Sequence, residues 1–134
     1  MALLAATVLL LAGCSSDDDS SSNNFTIYGK WYQKESVINN TVFPYDDHEI
    51  CGKDYLEFYD ENKVKSIDVW DCEEDLDWQG TFTKNGNSLT ISNGSENMTV
   101  EITELTSESL AFKYNSDVDE NGTEEQVIER FTRN

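Results

Sequence analysis

From Gly29 onward, short runs of β-branched and aromatic residues alternate with clusters of Asn, Asp, Gly and Ser, and nothing else limits the fold so tightly. The runs are Lys30–Val37, Tyr55–Tyr59, Lys63–Trp70, Asp77–Lys84, Ser88–Ser92, Asn97–Leu105, Ser109–Asn115 and Glu125–Thr132. Turn clusters separate the later ones: Asp60-Glu61-Asn62, Asn85-Gly86-Asn87, Asn93-Gly94-Ser95, Thr106-Ser107-Glu108 and Asp117–Thr123. Asn-Gly supplies the positive φ that tight hairpins need. Period-two alternation is clear at Trp78/Gly80/Phe82, Met98/Val100/Ile102 and Leu110/Phe112/Tyr114. It weakens in the last run, where Val127, Ile128 and Phe131 do not share one face. No segment carries a sustained helical period, so the expected class is all-β and antiparallel. Strands spaced by about 8–12 residues build either a sandwich or a barrel. Consecutive short hairpins favour a small eight-stranded up-and-down barrel, wide enough for side chains or one small ligand.

The chain begins MALLAATVLLLAGCSS, an apolar run shorter than a spanning helix of about 20 residues and ending in small residues and a cysteine. Residues 1–13 therefore read as a signal peptide. Leu11-Ala12-Gly13-Cys14 fits a lipobox, which makes Cys14 the acylated residue and the lipid membrane a partner. Residues 14–28 follow as a lipidated cysteine and flexible acidic tether, SSDDDSSSNN at its centre, and residues 29–134 form the domain. With Cys14 lipidated, Cys51 and Cys72 are left as a pair in an oxidising compartment and read as a disulfide; two buried free thiols are the alternative. The acidic cluster behind Cys14 resembles the surface-export signal of lipoproteins in the Bacteroidota. That resemblance implies an outer-membrane lipoprotein exposed at the cell surface; an ordinary acidic linker leaves a periplasm-facing position open.

Charge removes several functions. With 27 acidic and 9 basic residues the formal net charge is −18, which repels a phosphate backbone and an anionic lipid surface. Nucleic acid is not an expected partner. Aromatic residues make up 11% of the chain, too many for a disordered acidic tail. No enzyme is expected either. The single histidine, His48, stands beside Asp46 and Asp47, but no nucleophile elbow, HExxH, phosphate loop or dinucleotide-binding glycine pattern accompanies it.

No cofactor is expected, with one calcium alternative. Asp117-Val118-Asp119-Glu120-Asn121-Gly122 matches the first half of a DxDxNG loop, so Asp117, Asp119 and Asn121 are its candidate metal ligands. The twelfth position, where a bidentate Glu belongs, is Ile128, and the same residues equally suit a polar hairpin turn. Asp71, Glu73, Glu74, Asp75 and Asp77 show no ligand spacing and read as a solvated loop.

Gly29-Lys30-Trp31 resembles the G-x-W motif that opens lipocalins. The wider pattern, from GKWY through a cysteine-containing loop to WQGTFT and NSLTI, is similar to the lipocalin-like lipoprotein domains of the Bacteroidota. The resemblance implies an eight-stranded barrel closed at one end by Trp31, beneath an arginine near the last strand, either Arg130 or Arg133. It also implies a small apolar or amphipathic ligand inside. The aromatics expected to line such a site are Trp31, Phe58, Trp78, Phe82 and Phe112. The competing expectation is a filled barrel, a cell-surface interaction or envelope accessory module whose acidic loops make the contacts.

Overall fold

The computed structural model describes residues 25–134; the expected signal peptide, Cys14 and the expected tether as far as residue 24 lie outside the described residues. Its strands are β1 (Gly29–Ile38), β2 (Thr41–Pro44), β3 (Tyr55–Tyr59), β4 (Lys63–Trp70), β5 (Glu73–Asn85), β6 (Ser88–Ser92), β7 (Asn97–Leu105), β8 (Ser109–Ser116) and β9 (Glu125–Thr132). From β3 to β9 each strand pairs antiparallel with the next, and β3 pairs with β1. β9 then returns to β1, Tyr32 opposite Thr132 at one end and Ile38 opposite Val127 at the other. That last pairing closes an eight-stranded antiparallel barrel, as the hairpin spacing predicts.

Within the sheet, two features differ from the sequence reading. The first is β2, which was not expected. Asn39 and Asn40 take φ of 49° and 67°, the left-handed pair of a type I′ turn, and fold Thr41–Pro44 back along Glu35–Ile38. The reason is length: β3 covers only Gly29–Tyr32, so the rest of that edge of β1 takes its own hairpin partner. The second is the acidic run Glu73–Asp77, expected as a loop. It is the start of the 13-residue β5, with Asp71 and Cys72 (φ 53° and 64°) turning the chain and Glu73 paired to Trp70. The run is solvated as expected, yet it stays extended because β4 supplies its ladder and no core face requires apolar side chains there.

Curvature comes from irregular registers between Gln33 and Glu35, between Ser66 and Ile67 opposite Trp78 and Leu76, and between Ile102 and Glu104. Gly80 marks a corner of β5: a Cβ there would overlap the Ser92 carbonyl, so only glycine lets the two strands cross so closely.

The two ends of the barrel have opposite character. Around the β3–β4, β5–β6 and β7–β8 turns the interior is solid, filled by Trp31, Phe58, Val64, Phe82, Leu89 and Leu110. The N-terminal segment seals that end: Ile27 is buried against the cluster and Tyr28 packs on Phe82, so residues 25–28, expected as the last part of the flexible tether, belong to the domain. The opposite end carries the β1–β2 turn, the 45–54 loop, the β4–β5 hairpin and the β6–β7 and β8–β9 turns. There the interior is open.

Candidate functional site

The closed end explains the G-x-W motif. Trp31 is fully buried, its indole N–H donates to the Ile27 carbonyl at 2.7 Å, and the Arg133 guanidinium lies 3.5 Å from its ring centroid. Arg133 also donates to the carbonyls of Lys30 (3.2 Å) and Thr26 (3.1 Å). Gly29 has φ of 110°, and a Cβ there would occupy the place of the Arg133 guanidinium. Glycine, tryptophan and arginine thus form one cap. Of the two arginines the resemblance left open, Arg133 takes the place over Trp31. Arg130 faces away and pairs with Glu35 at 2.8 Å.

Above this plug lies a cavity of about 550 Å³, within the range of small-molecule sites. Leu56, Ile91, Met98, Val100, Phe112 and Phe131 make much of its apolar wall, with Trp78 beside them. The expected ligand-lining aromatics divide between the two halves. Trp78 and Phe112 line the cavity, whereas Trp31, Phe58 and Phe82 pack in the plug beneath it.

One side of the cavity is polar. In β9, Val127 and Phe131 face inward with Glu129 between them, and Ile128 lies on the other face. Glu129 Oε2 accepts hydrogen bonds from Gln33 Nε2 at 2.9 Å and Ser36 Oγ at 2.5 Å. Its Oε1 accepts from the Tyr114 hydroxyl at 3.1 Å. Burial and then the negative charge of Glu129 push the Tyr114 hydroxyl up to about 12, so it remains a donor at neutral pH. The sequence reading missed Glu129. Its signal is the carboxylate at the middle of the inward V-x-E-x-F spacing, but among 27 acidic residues one Glu is not set apart by residue type.

The mouth is built by the loop before β3 and the β4–β5 hairpin. Cys51 and Cys72 are joined in a disulfide, with Cα atoms 5.6 Å apart, as the cysteine count predicts. Glu49 caps the hairpin turn, accepting from the Asp71 and Cys72 N–H groups at 2.9 Å each. Asp54 is buried at the rim, accepting from Val69 N–H at 2.7 Å and from the Tyr45 hydroxyl. Burial and that bond raise the Tyr45 hydroxyl well above its ordinary value. His48 has no catalytic company: Nδ1 accepts from Asp54 N–H at 3.1 Å, which leaves Nε2–H to donate to the Gln33 carbonyl at 2.7 Å. Desolvation by the wall, with the charge of Asp54 next and then Asp77, raises the Asp68 carboxyl.

At the β8–β9 turn, oxygens of Asp117, Asp119 and Glu125 lie within 4.8 Å of one another. The loop uses these oxygens itself. Asp117 accepts from Asn121 N–H (3.0 Å) and Gly122 N–H (2.8 Å), Asp119 from the Asn121 amide (2.9 Å), and Glu125 from Val118 N–H (2.8 Å). The arrangement is that of an Asx-stabilised turn.

The family model for the lipocalin-like domain matches residues 27–112, well over half of the chain. The chain belongs to the lipocalin-like domain family. Its fold is similar to that of a lipocalin-like protein from Bacteroides uniformis, with a TM-score of 0.54 and 16% identity over 77% of this chain and 96% of that one. An uncharacterized protein from Bacteroides eggerthii is similar to the same degree, with a TM-score of 0.54 and 13% identity over 78% and 98% of the two chains. At such identities the likeness concerns the barrel. No curated protein matches the chain in sequence. The matched span begins at the buried Ile27 and runs through Trp31 and the cavity-lining residues as far as Phe112, with Glu129, Phe131 and Arg133 beyond it.

Proposed function

We propose that this lipocalin-like domain binds a small amphipathic molecule in the cavity above Trp31, as a non-enzymatic carrier or receptor. One observation carries the reading: the interior is solid at one end and open at the other, with apolar walls and a few convergent polar groups. A filled barrel acting only through its loops would not need that space. Native mass spectrometry of the protein purified from its own host should reveal a retained mass. The neutral fluorophore N-phenyl-1-naphthylamine should show saturable enhancement that Ser66→Phe, a lining position, abolishes. An empty chain that also ignores the fluorophore would overturn the proposal.

We further propose that Cys14 is acylated and that the domain stands on a lipid anchor at the outer membrane. The N-terminal segment enters at the plugged end, where Thr26 and Ile27 are held by Arg133 and Trp31. An anchor upstream would therefore join the domain at the end remote from the cavity mouth. Cys14→Ala should release the protein from the membrane fraction and abolish labelling with a palmitate analogue. Unchanged labelling would exclude Cys14 as the acceptor.

A further inference from the structure

Resting on the cavity reading, we infer that the ligand is an organic cation: an apolar body bearing a protonated amine, whose charge is met by Glu129. The residues that line the cavity include the carboxylates Asp54, Asp68, Asp77 and Glu129, and no Lys, Arg or His. An anionic ligand such as a fatty acid would meet repulsion from each of these four carboxylates. A neutral one would leave the charge unused.

Glu129 is the carboxylate placed for the task. It lies part-buried inside the barrel, whereas Asp54 is spent on holding the mouth together. Three neutral donors, Gln33, Ser36 and Tyr114, orient its two oxygens. None of the described ion pairs includes it, so its charge has no protein counter-ion. A half-buried carboxylate held by neutral donors can still take a cation, and a charge-assisted bond forms readily where water is partly excluded. The aromatic lining around it suits the rest of such a molecule: Phe112 is its partner on β8, Phe131 lies two residues along β9, and Trp78 lies across the barrel on β5. Trp78, Phe112 and Phe131 offer aromatic faces to an alkyl body or to the ammonium itself.

The entrance favours the same charge. The loops of the open end bring Asp46, Asp47, Glu49, the Glu73–Asp77 run and the Asp117–Glu125 turn around one opening. Like charges lining a cleft with low-dielectric walls focus the field and concentrate counter-ions there.

Decylamine, decanol and decanoate share one alkyl chain and differ in head-group charge, so together they test the inference. Binding to the full domain would be followed by tryptophan fluorescence and calorimetry at physiological ionic strength. We expect decylamine to bind at least about tenfold more tightly than decanol, as a charge-assisted bond implies, with decanoate weakest. Glu129→Gln should bring the amine to the affinity of the alcohol and leave the alcohol unchanged. Glu61→Gln, an equal change of net charge at the closed end, should alter neither. Equal binding of amine and alcohol, tighter binding of decanoate, or equal losses in the two variants would overturn the cationic assignment and leave the cavity proposal standing. Failure of all three probes would instead overturn the cavity proposal itself. If Glu129→Gln does not fold by circular dichroism, the order of the three probes on the native chain decides alone.

Discussion

Replacing Trp31 by alanine is expected to cost about 3–5 kcal/mol, the usual loss for a buried aromatic, out of the roughly 5–15 kcal/mol that holds a domain together. The side chain is fully buried and joins three parts of the chain. Its ring packs in the core cluster with Phe58 and Leu110, its N–H bonds the Ile27 carbonyl, and Arg133 stacks on its outer face. Alanine would leave a cavity in the plug, an unpaired carbonyl and a guanidinium without its ring. The urea midpoint should fall steeply while the slope of the transition stays constant, because the surface exposed on unfolding changes little. A thermal shift of about 15 °C or more follows for a domain this size, and outright failure to fold is within the expected range. Trp31→Phe should fall between the two, since it keeps most of the apolar volume and loses only the N–H donor. Fluorescence provides an independent check. In a Trp70→Phe, Trp78→Phe background the remaining emission should be blue-shifted and resist acrylamide, whereas Trp70, 70% exposed, should emit at longer wavelength and be quenched freely. A Trp31→Ala variant as stable as its parent would separate the G-x-W motif from the stability of the barrel.

Reduction of the Cys51–Cys72 disulfide should lower stability by about 3 kcal/mol, the chain-entropy value for a loop of this length. The melting temperature should then fall by about 10 °C or more. The effect should also be local. The bond ties the loop before β3 to the β4–β5 hairpin, both at the open end, and every residue of the plug lies outside the loop's contacts with that hairpin. Hydrogen exchange should therefore speed up first at Gly52–Asp54 and Val69–Cys72, while the amides of Phe58 and Phe131 remain protected. The reduced protein should stay folded, with a looser mouth. Two alkylatable thiols in the native, unreduced protein would contradict the bond.

Much of the architecture is legible from residue types alone. Five of the eight expected strands, Tyr55–Tyr59, Lys63–Trp70, Ser88–Ser92, Asn97–Leu105 and Glu125–Thr132, have the observed boundaries. The physical reason is that local chemistry decides them: turn-forming Asn, Asp and Gly stop each run, and β-branched and aromatic residues favour the pleated ladder between. The Cys51–Cys72 disulfide was likewise the expected reading of the cysteine count, with two free thiols as the alternative that the structure removes. Exposed segments were harder, because neither burial nor composition marks them. Thr41–Pro44 is solvent-exposed throughout and carries a proline, and Glu73–Asp77 is almost wholly acidic; both are strands only because a neighbour offers free ladder positions.

The site belongs to the tertiary structure. Alternation could place Glu129 on the same face as Val127 and Phe131, but it could not say that this face looks into a cavity. Only the closure of β9 against β1 on one side and β8 on the other brings Gln33, Ser36 and Tyr114 to its oxygens. The same closure sets Arg133 rather than Arg130 over Trp31, because the chain must pass the end of the barrel before an arginine can reach across it. It also sends Phe58 and Phe82 into the plug and leaves Trp78 and Phe112 to the cup. Sequence fixes which residues alternate; depth along the barrel, set by register between strands far apart in the chain, decides which of them pack and which can meet a ligand.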